Sequence, residues 1–203
     1  MILKNIVTIL LIFIFYQSHL YSKSNSFNDF DRKDLSKYFS GIVAYENKEN
    51  SKALNFFKSS KKLIHKHDPY LKRYIYSLVL ENKIPQAISE IKKNENESNT
   101  NFFDAKLLLI LDSLKKKDLN QAYLYTINRS NINPNNKFDL AILENLEQYT
   151  YVFRTNKILN NKKNFGKLSS ISETFQRCYL GDKKTDTYFS NLFNDVEVDY
   201  SRY

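Results

Sequence analysis

SKALNFF (51–57), PQAISEI (85–91) and NQAYLYT (120–126) each hold an alanine at the third position, and Ala53, Ala87 and Ala122 lie 34 and 35 residues apart. Each alanine follows a helical apolar run and opens a second one. A period of that size, with a small residue at one fixed place, is the pattern of helix-turn-helix units that cannot bury their apolar faces alone and must stack on their neighbours. The alanines have a physical role: two helix axes approach to about 8 Å only where the side chain between them is small.

Working outward from the alanines, three units appear. In the first, Leu35, Tyr38, Phe39, Ile42, Val43 and Tyr45 recur at the spacing of one helix face, residues 47–50 break it, and a second helix runs over 51–64. Asp68-Pro69 reads as an N-cap with proline at the first helical position. The second unit then follows with Leu71, Tyr74, Ile75, Leu78 and Val79, a turn at Asn82-Lys83, and a helix over 84–93 whose Pro85 falls in its first turn. The third has helices over 102–114 and 119–127 around a turn at Lys117-Asp118, and stops at Asn133-Pro134-Asn135. Beyond it, Phe138 to Phe153 and Phe165 to Tyr179 form a fourth, stretched pair, and a last aromatic-rich segment begins near Tyr188. A solenoid ordinarily closes on a polar cap. Ending on an amphipathic helix suggests the front part of a longer protein.

These residues resemble the tetratricopeptide repeat family over 35–136. Aligning the three alanines with that family's small residue in its second helix puts Gly41 on the family's first-helix glycine, Phe57 on its second-helix aromatic and Pro134 on its closing proline. Departures are Ile75 and Ile110 at the glycine position, Ile91 and Thr126 at the aromatic position, and the absence of any tryptophan. The resemblance implies an all-α, right-handed superhelix of antiparallel helix pairs whose first helices line a groove. It would place Tyr38, Ile42 and Tyr45 in that groove from the first unit, Lys72, Tyr76 and Val79 from the second, and Leu107, Leu111 and Lys115 from the third. Such a mixture of aromatic, aliphatic and cationic side chains suits a protein or peptide partner with some acidic character. Tyr38 and Tyr76 are then expected to be more exposed than the core-facing Phe57 and Leu78.

Composition agrees with helices. Three Gly and three Pro in 203 residues leave little material for hairpins or glycine-rich phosphate loops, so all-β and dinucleotide-binding folds are disfavoured. The formal charge of +9 comes from lysines scattered along every segment, as expected of solvated faces rather than of a nucleic-acid-binding patch. The reading alternative to a scaffold is a basic envelope protein that holds anionic lipid or polysaccharide surfaces; another is the repeat module of a longer enzyme.

Residues 1–22 follow the plan of a secretory signal peptide: Lys4, an apolar run from Ile6 to Tyr16, then a short polar stretch ending at Ser22. The run is about half of the roughly 20 residues of a spanning helix, so cleavage is expected over anchoring, and export to the periplasm or outer envelope follows. Residues 23–34 read as a flexible leader. Cys178 is the single cysteine and has nothing to bridge; it reads as a partly buried structural thiol. His65 and His67, two apart, do not make the i, i+4 face of a zinc site, and they read as solvated loop residues. No phosphate loop, serine elbow or paired-cysteine cluster occurs. No enzyme, cofactor or metal site is expected. Asn96-Glu97-Ser98 and Asn128-Arg129-Ser130 match a glycosylation acceptor, a triplet that arises by chance in a chain this rich in Asn and Ser.

Overall fold

A computed structural model describes residues 31–95, 98–128, 137–160 and 162–194. The signal-peptide and leader readings over 1–30, both glycosylation triplets in part, the Pro134 boundary and the chain's last nine residues lie outside them. The described residues form nine α-helices and no strand: α1 (Arg32–Glu46), α2 (Asn50–Ser59), α3 (Pro69–Leu80), α4 (Ile84–Lys93), α5 (Phe103–Lys115), α6 (Leu119–Ile127), α7 (Lys137–Thr155), α8 (Lys167–Tyr179) and α9 (Thr185–Asn194). Each helix packs on the next in chain order. This continuous run of neighbour contacts is consistent with a helical solenoid.

The period seen in sequence returns as repeated hydrogen bonding. After α1, Lys48 adopts φ +62° and its N–H donates to Tyr45 O at 3.0 Å, while Glu49 N–H donates to Ala44 O at 2.9 Å. After α3, Asn82 adopts φ +57°, with Asn82 N–H on Val79 O at 2.9 Å and Lys83 N–H on Leu78 O at 2.8 Å. After α5, Lys117 adopts φ +61°, with Lys117 N–H on Leu114 O and Asp118 N–H on Ser113 O, both 2.9 Å. All three are Schellman-type closures, in which a left-handed residue lets the chain reverse while satisfying the last carbonyls of the helix. Five residues beyond each left-handed residue stand Ala53, Ala87 and Ala122, all fully buried.

Inside, Phe57, Tyr70, Leu71, Ile75, Leu78, Ile91 and Ile110 belong to one apolar cluster that runs from Tyr38 of α1 to Leu143 of α7. Tyr70 is kept there because its hydroxyl donates to Phe57 O at 2.5 Å, which satisfies the one polar atom of a fully buried side chain. Its burial pushes the phenol well above its ordinary range.

Several boundaries differ from expectation. Helix α1 begins at Arg32, not at Leu35, because Asp31 caps it by accepting from Lys33 N–H at 2.8 Å and because Asp34 is buried. The second helix of the first unit stops at Ser59, and a 3-10 turn over Lys61–His65 carries Leu63 and Ile64 into the core. Asp68 makes no side-chain cap, since it is already in helical φ/ψ where the preceding turn runs into α3; Pro69 does take the first helical position.

The fourth pair is not an aromatic core. Phe138, Phe175 and Tyr179 are exposed, and besides an edge-on contact of Phe153 with Tyr179 at 4.9 Å, α7 meets α8 through a buried polar network. Gln176 Nε2 donates to Gln148 Oε1 at 3.2 Å and to Ser172 Oγ at 2.9 Å, Gln148 Nε2 to Glu144 Oε1 at 3.4 Å, and Lys163 N–H to Glu144 Oε1 at 3.0 Å. Gln176 Oε1 has no partner. Since Ser172 and Gln176 take the inner face of α8, Cys178 falls on the outer one and is exposed, contrary to the partly buried thiol expected.

Candidate functional site: the face of the first helices

Helices α1, α3 and α5 stand at equivalent places in the 34- and 35-residue period, and their side chains meet one another. Arg73 of α3 lies over the Tyr45 ring of α1 at 5.4 Å and pairs with Glu46 at 3.6 Å. One residue earlier on α3, Lys72 Nζ sits 5.6 Å from the Tyr76 ring and 5.7 Å from the Phe102 ring, which stands edge-on to Tyr76. Tyr76 is held by its hydroxyl, which donates to Asp104 Oδ2 of α5 at 2.5 Å. Burial first, and then this bond to an anion, push the phenol well above its ordinary range, so it stays protonated and donating.

Lys72 therefore stands between two aromatic faces, and no carboxylate among the described residues lies in ion-pair range of it. All three residues are half-buried, an arrangement in which rings pack on a lysine stem and attract its ammonium. Further along α5, Lys106 lies over Tyr125 at 5.3 Å. Burial lowers its amine below the usual lysine value, against a smaller opposing effect of Glu95.

The nine groove positions named from sequence do not make one surface. Tyr38 is a correction: it is 3% exposed, with its ring 5.8 Å from Phe57, 6.0 Å from Tyr70 and 4.7 Å from His67. His67, from the connection before α3, and Tyr70, in the first turn of α3, close over it, so Tyr38 is core and His67 is a packing residue rather than a solvated one. Ile42, Tyr45, Val79 and Leu107 are partly buried against the core cluster. Lys72 and Tyr76 come together. Leu111 and Lys115 are exposed, and line a separate crevice of about 540 Å³ with Ile84, Pro85 and Ile88 of α4.

Sequence reading missed Arg73, Phe102 and Asp104. Phe102 precedes α5 in extended conformation, so an argument from helix faces alone passes over it. Among the described residues, no three His, Cys, Asp or Glu side chains are grouped to hold a metal ion, and no helix is long and apolar enough to cross a membrane. No protein-family model, curated protein or solved structure matches the chain.

Proposed function

We propose that this chain is a non-catalytic protein–protein interaction scaffold of a bacterial cell envelope, its helix pairs wound as a right-handed superhelix of tetratricopeptide type. The observation that supports recognition is the trio Lys72, Tyr76 and Phe102: a cation with no carboxylate among the described residues in ion-pair range, flanked by two half-buried rings. Aromatic anchors beside a half-buried cation are a composition common at interface hot spots, and a partner segment bearing a carboxylate next to an apolar side chain meets both. The repeated turns and the buried alanines support the superhelix, since identical closures at a constant interval rotate each unit by a similar amount on its neighbour.

The experiment is site-specific photo-crosslinking in the producing cell. A benzoylphenylalanine at position 76 is expected to yield a discrete adduct that is lost in Lys72→Glu. The same probe at Lys93, whose exposed side chain lies on α4, is expected to yield none. An absent adduct at 76, or equal adducts at both positions, overturns the reading.

A further inference from the structure

The units are related by 34 and 35 residues, so Phe39, Val43 and Phe56 of the first correspond to Arg73, Ser77 and Glu90 of the second and to Leu108, Asp112 and Tyr125 of the third. In the two later units these positions face the unit before them. Arg73 reaches Tyr45 and Glu46, Glu90 pairs with Lys61 at 2.8 Å, Asp112 pairs with Lys92 at 3.5 Å, and Leu108 lies against Ile84 and Ile88. Ser77 and Tyr125 are buried. Position for position, then, Phe39, Val43 and Phe56 occupy a stacking face. In the first unit that face is open: they are 58%, 61% and 36% exposed, and with Ser36, Ser40 and Asn47 they line a cleft of about 660 Å³ along α1 and α2.

Chemistry at these positions runs opposite to that of a terminal cap. A closing unit keeps itself soluble with a polar outer face, yet here the inner junctions carry Arg73, Glu90 and Asp112 while the outer face carries two phenylalanines and a valine. A contiguous exposed apolar patch of this kind marks an interaction surface. Among the described residues, Glu49 and Lys52 are the charged ones that line it, and they pair with each other at 3.0 Å. The patch is thus neutral on a chain of charge +9, and it offers one acid, one base and side chains that both donate and accept.

We infer that the open α1–α2 face is a self-association surface, on which a second copy of this chain docks about a two-fold axis through Phe39, Val43 and Phe56. A two-fold interface must be complementary to itself. A rim of one acid and one base meets that condition, and local neutrality removes the repulsion that two strongly basic chains meet elsewhere. This surface is distinct from the one built around Lys72, and does not depend on what binds there.

Sedimentation of the full chain across a concentration series tests the inference. The wild type is expected to be a dimer at micromolar concentration and Val43→Glu a monomer, with an unchanged helical spectrum and melt. If Val43→Glu fails to fold, Phe39→Ser, at the more peripheral ring, takes its place. Glu49→Lys and Lys52→Glu are each expected to weaken the dimer about tenfold, and the double exchange to restore it. A wild type that stays monomeric, an assembly that grows past two copies, or one that persists in Val43→Glu overturns the inference. The last of these would place association elsewhere, as on residues 1–30.

Discussion

Gly41 is a close approach between α1 and α2. A Cβ built there would lie 2.9 Å from Phe57 Cε1 and 3.0 Å from Cδ1, and the ring is fully buried against Tyr38 and Tyr70. Gly41→Ala is therefore expected to destabilise the fold by about 1 to 3 kcal/mol in chemical denaturation, the usual cost of overpacking. Adding Phe57→Leu should recover part of that loss, giving less than the sum of the single effects. An unchanged midpoint for Gly41→Ala would mean that the ring yields. The register that sets Gly41 against Phe57 sets Ile75 against Ile91 and Ile110 against Thr126, all buried. The departures from the repeat pattern at these positions are volume exchanges: where the second helix loses its aromatic, the first gains a branched side chain. That exchange is legible in the sequence once the two positions are taken as a pair.

At the scale of the element, the turns carry a local cost. Lys48 and Lys117 hold a left-handed conformation that glycine adopts freely and a lysine does not. Lys48→Gly and Lys117→Gly are each expected to raise stability by about 0.5 to 1 kcal/mol, measured by denaturant midpoint, whereas Asn82→Gly should gain less because asparagine tolerates this region. A loss of stability in the lysine variants would show that their side chains contribute packing that outweighs the backbone term. The turns could be located from their Asn, Lys and Asp residues. Their hand could not, because the usual signal, a glycine, is missing from all three.

Over the whole molecule, packing changes character along the chain. From α1 to α7 an apolar core is shared, while α7 and α8 meet through one aromatic pair and a set of amides and hydroxyls in which Gln176 Oε1 has no partner among the described residues. Close by, Glu173 joins Lys162 and Arg177, the latter at 2.6 Å, and Arg177 also holds Asp182 at 2.7 Å. Burial raises the Glu173 carboxyl, but hydrogen bonds from Lys162 and Arg177 outweigh it and hold the group below its ordinary 4.5. A carboxylate with a lowered folded-state value stabilises fully above that ordinary value and loses its contribution as pH falls through the folded one. The difference in melting temperature between the wild type and Glu173→Gln should therefore be present at neutral pH and close below pH 4.5. A difference independent of pH would show that the carboxylate's charge is not what matters there.

What the sequence determined by itself was the repeat: helix periodicity, turn residues and small side chains are local quantities, and the interval between the alanines carries the register from one unit to the next. Only the tertiary structure decided which face of each helix is covered. Tyr38 and Tyr76 both stand on the first-helix face that the repeat pattern assigns to a groove, yet His67 and Tyr70 fold over Tyr38 while Tyr76 is left half-open beside Lys72 and Phe102. Phe39 and Val43 have the spacing of core residues and are exposed, because no unit precedes them among the described residues. Burial is a property of neighbours distant in sequence, and a period that names equivalent positions does not say which of them has a neighbour.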